Sequence, residues 1–178
     1  MSVKTKLTKV IAQCHKELNE IFLLHQEAAL LGMFDEAVQL LDCFKKLHHL
    51  HMVFEDEKLI TKLDGLGNPG RWPVSLYTDE HAKIQELIEK TEYSLLSLSK
   101  GQLSDNYFRR RVISFLDKER TFKGLCEHHQ EREETDILPE LDMRTDKKWR
   151  TNVIGPFLKE WNHCMEHNMV GVIGIDFP

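Results

Sequence analysis

Residues 122–139 read FKGLCEHHQEREETDILP. Phe122, Cys126, His129, Glu133 and Ile137 recur in this stretch every three or four residues, which is the period of one helix face. Residues 51–60, HMVFEDEKLI, carry a similar pattern. There His51 and Glu55 extend a stripe made of Leu41, Phe44, His48 and Leu59. A histidine and a carboxylate one turn apart on an apolar face are expensive to bury unless paired or bound to a cation. Two such faces predict a helical fold assembled around a polar interior site.

Glycine and proline are scarce outward from these stretches, and the intervals between them read as helices. The first spans about Thr5 to Leu31 and stops at Gly32; its stripe is Leu7, Val10, Ile11, Cys14, Leu18, Ile21, Phe22 and His25. The second spans about Asp35 to Lys62, before the break DGLGNPGRWP at 64–73. The third covers about Tyr77 to Ser99 and turns Tyr77, His81, Ile84, Ile88 and Leu95 inward. The fourth follows Gly101, with Ser104 or Asp105 as its cap, and reaches about Leu138 beside Pro139. A shorter fifth helix covers about Pro156 to Asn168. No strand precedes residue 169, and no internal repeat is evident. The end of the chain, MVGVIGIDFP at 169–178, is apolar and β-prone. It is expected to dock on the bundle or to meet a second copy across a two-fold axis as a homodimer. The expected fold is all-α: an antiparallel up-down four-helix bundle over 1–145, with an additional short C-terminal helix and apolar tail over 146–178 packed on it.

Composition narrows the function. The chain has 178 residues, enough for one domain with its own core. No apolar run is long enough to span a membrane, and the N-terminus does not read as a secretory signal. A net charge of −5 gives no broad basic field for nucleic acid or anionic lipid, and Arg109–Arg111 reads as a solvated helix face. Four dispersed cysteines argue against a disulfide framework or a Cys-rich zinc site and fit a cytoplasmic protein with reduced thiols.

Histidine stands out, with ten in the chain. Each of the four long helices directs one inward: His25, His51, His81 and His129. Two helices add a carboxylate, Glu55 and Glu133. A lone inward histidine is more often a hydrogen-bonded core residue than a ligand. Four imidazoles and two carboxylates at one level of a bundle have few satisfied arrangements without a cation, and two carboxylates that can bridge suit two metals better than one. Glu134 is an alternative to Glu133, and His48 is either an outer hydrogen-bond donor or an extra ligand. His49 and His128 fall outside the stripes and face solvent. His163, Cys164 and His167 read as packing or surface residues.

The stretch His129-Gln-Glu-Arg-Glu133-Glu134-Thr-Asp-Ile137-Leu138-Pro139, its looser copy at 51–60, His25 and the segment Asp79-Glu80-His81 resemble the haemerythrin-like family of HHE cation-binding domains. The resemblance covers about residues 5 to 142. Ferritin-like bundles use Glu-x-x-His pairs, whereas here the histidine precedes the carboxylate by four. The resemblance implies two iron ions in a non-haem centre, compatible with an oxo or hydroxo bridge. His25 and His51 would hold one iron, His81 and His129 the other, and Glu55 and Glu133 would bridge them. It also implies a small diatomic ligand, oxygen or nitric oxide, or peroxide, in sensing, stress protection or iron handling. Oxygen-carrying members have a further third-helix histidine; Tyr77 stands at that position, which argues against reversible carriage. The Tyr77 hydroxyl is expected to stay protonated and to hydrogen-bond toward the centre. The alternative reading is a helical interaction module whose site holds zinc or is degenerate.

Overall fold

The computed structural model describes residues 6–67, 70–100 and 105–169, and the regular elements among them are all helical. The chain forms α1 (Leu7–Leu31), α2 (Phe34–Phe54), a π-helical turn (Glu55–Ile60) and α3 (Thr61–Gly65). It continues as α4 (Val74–Ser99), α5 (Asp105–Arg132), a second π-helical turn (Glu133–Ile137), α6 (Leu138–Arg144) and α7 (Lys147–Met169). The four long helices form a ring of neighbours, α1 against α2, α2 against α4, α4 against α5 and α5 against α1. Their stripes meet in one core, with Phe22, Phe44 and Phe122 in mutual ring contact at its centre.

Only Gly32 and Met33 join α1 to α2. Gly32 takes φ 77°, and the Gly32 and Met33 amides donate to the carbonyls of Ala29 and Ala28 at 3.2 and 2.9 Å, a glycine-terminated helix end. A side chain at position 32 would also meet the Phe108 ring, its Cβ only 3.2 Å away. Such a tight link lays α1 alongside α2, so residues equally distant from the turn become neighbours.

The fourth helical segment runs further than expected. Pro139 has no N–H to donate to Thr135, yet the chain passes through the π-helical turn and stays helical to Arg144. This extension delivers Asp142 to the start of α1. Its carboxylate accepts from the Leu7 amide at 2.8 Å and from the Thr8 amide and hydroxyl at 3.2 and 2.8 Å. Lys6 gives α1 no side-chain cap, so a carboxylate from a distant segment satisfies these donors and favours the positive end of the helix dipole.

The last helix also differs from expectation. It begins at Lys147 rather than at Pro156, and Pro156 lies inside it. Asp146 starts it early, its carboxylate accepting from the Trp149 amide at 2.7 Å. The bond lost at Pro156 is offset by burial of Ile154, Phe157 and Trp161 against α2 and α1. The Phe157 ring stacks on Phe54 at 4.1 Å, and the Trp161 indole N–H donates to Glu17 at 2.7 Å. The tail at 170–178 and the cap residue Ser104 lie outside the described residues.

Trp161 is the main anchor of α7. Trp161→Ala is expected to destabilise the protein by about 3–5 kcal/mol in denaturant titration.

Candidate metal centre

The side chains that meet in the core are His15 from α1, His51 from α2, Glu55 at the head of the first π-helical turn, His81 from α4, His129 from α5 and Glu133 at the head of the second. They fall into two overlapping sets able to hold a metal ion: His15, His51, Glu55 and Glu133, then Glu55, His81, His129 and Glu133. All six are buried, and the two glutamates have no exposed surface.

Distances show how the sets share their carboxylates. The Nε2 atoms of His15 and His51 are 3.0 Å apart, and those of His81 and His129 are 2.9 Å apart. Glu55 turns Oε1 to His51 Nε2 at 3.1 Å and Oε2 to His81 Nε2 at 3.4 Å. Glu133 turns Oε2 to His15 Nε2 at 3.3 Å and Oε1 to His129 Nε2 at 3.1 Å. Each carboxylate therefore spans both imidazole pairs. None of these four carboxylate oxygens has a hydrogen-bond partner among the described residues. Two nitrogens bound about 2.1 Å from one cation at right angles stand about 3 Å apart, so the spacing within each pair suits a shared ion. Imidazole nitrogen with bridging carboxylate oxygen is a donor set for iron, zinc or manganese.

The outward ring nitrogens are supported unequally. His15 Nδ1 lies 2.7 Å from Glu134, His81 Nδ1 2.8 Å from Asp56 and His129 Nδ1 2.9 Å from Glu80. Glu80 is held in turn by an ion pair with Arg132. His51 Nδ1 has no partner among the described residues; the rings of Phe157 and Trp161 lie near the His51 ring, with centroids 6.5 and 6.1 Å from its own.

Without metal, the cluster is held by protons. Burial by itself would lower the pKa of His15, but Glu133 and Glu134 outweigh it and raise it to about 9. Burial also opposes protonation of His81 and His129, yet Asp56 and Glu55 raise the first to about 10, while Glu133 and Glu80 raise the second to about 9. Burial and the charge of Glu133 push Glu55 up to about 7. Burial would also raise Glu133, but His129 and His15 hold its carboxyl well below the usual range. His51, buried and beside His15, is driven low.

Five of the six residues expected from sequence, His51, Glu55, His81, His129 and Glu133, are brought together; His25 is not. It lies deeper along α1, where Nδ1 is 2.8 Å from the Ala37 carbonyl and Nε2 is 2.8 Å from Glu119. Glu119 also accepts from Gln26 at 2.9 Å. His25 is thus a paired core histidine, and the α1 position in the cluster belongs to His15. Both lie on the broad buried stripe of α1, since Ile11, His15, Leu18 and Phe22 also follow the helical period. The missed signal was the short α1–α2 link. His15 and His51 are about equally far from it, whereas His25 lies level with Ala37.

Other expectations also resolve. Glu134 does not replace Glu133 but supports His15. His48 is buried against Phe44 and outside both ligand sets, and burial with the neighbouring imidazoles lowers it to about 3. His49 and His128 are exposed, as are His163 and His167. The Tyr77 hydroxyl does not reach toward the centre. It donates to Asp136 at 2.9 Å, and Asp136 also accepts from the Arg71 amide at 2.8 Å. The four cysteines are free thiols. No described helix is long and apolar enough to cross a membrane. No family model, curated protein or solved structure matches the chain.

The assignment of α1 is tested by His15→Ala and His25→Gln. His15→Ala is expected to lose bound metal. His25→Gln is expected to keep it while losing about 1–3 kcal/mol of stability, because it disturbs the buried hydrogen bonds of His25 to Glu119 and the Ala37 carbonyl. Elemental analysis and denaturation of both variants separate the roles.

A second expectation concerns protons. Carboxylates raise the pKa values of His15, His81 and His129, so metal uptake is expected to displace protons from the cluster. Affinity should rise with pH and level off above about 10, where His81 has titrated. Calorimetry in buffers of different ionisation enthalpy should show proton release; uptake without release would contradict this account.

Proposed function

We propose that the chain is a non-haem di-iron protein with a haemerythrin-like, up-down four-helix bundle. It interacts with oxygen, nitric oxide or peroxide in sensing, stress protection or iron handling in the cytoplasm. The observation that carries the reading is the sharing of Glu55 and Glu133 between two imidazole pairs, with all four carboxylate oxygens lacking hydrogen bonds. Buried carboxylates without donors are costly, and two shared cations would satisfy both. Iron in such a site supplies a reversible change of charge and open coordination positions for a small ligand.

The protein's own residues set the limits of that chemistry. Each glutamate holds two sites at a fixed separation. Glu134, Asp56 and Glu80 orient three of the imidazoles through Nδ1. The six inner residues have little or no exposed surface, so the centre favours diatomic molecules and peroxide over larger substrates. Asp136 engages the Tyr77 hydroxyl, which leaves that position without an inward donor and argues against stable oxygen carriage.

Protein purified without oxygen is expected to contain about two irons per chain, one for each ligand set. Its optical spectrum should change on addition of oxygen or nitric oxide. Two zinc ions and no spectral response would instead support the interaction-module alternative. Absence of metal, with stability unchanged by a chelator, would overturn the metal reading.

A further inference from the structure

The support given to the four imidazoles is lopsided. In the His81–His129 half, both outward nitrogens meet carboxylates, Asp56 at 2.8 Å and Glu80 at 2.9 Å. In the His15–His51 half, only His15 is supported, by Glu134 at 2.7 Å. His51 Nδ1 is buried with no acceptor among the described residues, and the rings of Phe157 and Trp161 of α7 pack near His51.

The difference has a local origin in the sequence. Each bridging glutamate is followed by an acid, Glu55 by Asp56 and Glu133 by Glu134. One residue further round the helix, each acid supports a histidine of another helix, Asp56 that of α4 and Glu134 that of α1. The remaining acid, Glu80, directly precedes His81 and supports His129. The residue that directly precedes His15 is Cys14, whose buried thiol is at best a weak hydrogen-bonding group. The relation that supports His129 therefore has no acidic counterpart for His51.

A carboxylate on the outward nitrogen fixes the ring, sets its tautomer and makes the inward nitrogen a stronger donor; losing one typically costs about 10–100-fold in metal affinity. We infer that the two halves of the centre are unequal, with the His81–His129 half binding the first metal ion tightly and the His15–His51 half holding the second more weakly. Asp56 and Glu80 are the positioning residues that set this order. The inference rests on the two-metal reading above and adds an order of filling. Arg132, paired with Glu80, keeps that carboxylate in place and draws off part of its charge. Asp56 is the cleaner probe because it is partly exposed and Asp56→Asn preserves its shape.

The test is anaerobic titration of metal-free full-length protein with cobalt(II), followed by calorimetry and by the visible absorption of the bound ion. Two successive steps are expected, the first at least about tenfold tighter. Asp56→Asn and Glu80→Gln should weaken the first step by about 10–100-fold, while Glu134→Gln should weaken only the second. At one equivalent of cobalt, His51→Ala should retain the ion and His129→Ala should not. Two equal steps, or a first step more sensitive to Glu134→Gln than to Asp56→Asn, would overturn the inference and leave the two-metal reading intact. No uptake of cobalt by the unmodified protein would overturn the reading itself. Circular dichroism of each variant separates loss of affinity from loss of fold.

Discussion

Glu55 and Glu133 are withdrawn from water among four apolar helices, and none of their oxygens receives a hydrogen bond from the described residues. Much of the surrounding arrangement answers to that constraint. A buried, uncompensated charge costs several kcal/mol, so positive charge must be supplied from the packed helices themselves. Imidazoles from α1, α4 and α5 supply it, their pKa values raised because carboxylates outweigh burial. The same groups are placed to exchange their protons, released to solvent, for metal ions. Stability and metal binding would therefore draw on one set of side chains.

The π-helical turns belong to this arrangement. Each begins at the glutamate of a His-x-x-x-Glu pair, where the chain presents the shared carboxylate inward and the next acid, Asp56 or Glu134, to a neighbouring helix. Such turns recur at functional sites because one residue is gained without breaking the helix. Beyond the second turn, α6 carries Asp142 to the start of α1, so the segment that bears Glu133 also caps the helix that bears His15. Asp136 in the same turn gathers Tyr77 and the Arg71 amide. The Glu133 side of the centre is thereby tied to both α1 and α4.

The α7 helix closes the other side. Phe157 and Trp161 face His51, where no carboxylate stands behind the ring. An apolar cover keeps water from the least supported ligand and lowers the local dielectric, which strengthens the neighbouring charge interactions.

Much of this was legible from residue order. The helical periodicity, the stop at Gly32 and the two His-x-x-x-Glu pairs are local properties, since a four-residue spacing dictates that two side chains share a face. That reading identified His51, Glu55, His129 and Glu133, with His81 on the inner face of the third helix. It could not choose between His15 and His25, because both lie on the inward stripe of α1 and periodicity specifies a face but not a height. Height depends on how α1 lies against α2, and the level of the cluster on α1 was settled only when the helices packed. The acids behind the imidazoles likewise became visible only in three dimensions, since Asp56, Glu80 and Glu134 serve histidines on other helices. Local sequence thus determined which faces turn inward and where carboxylate follows histidine. Tertiary packing decided which histidines meet and which are supported, because contacts between helices depend on their relative height and rotation, which side-chain spacing along one helix does not encode.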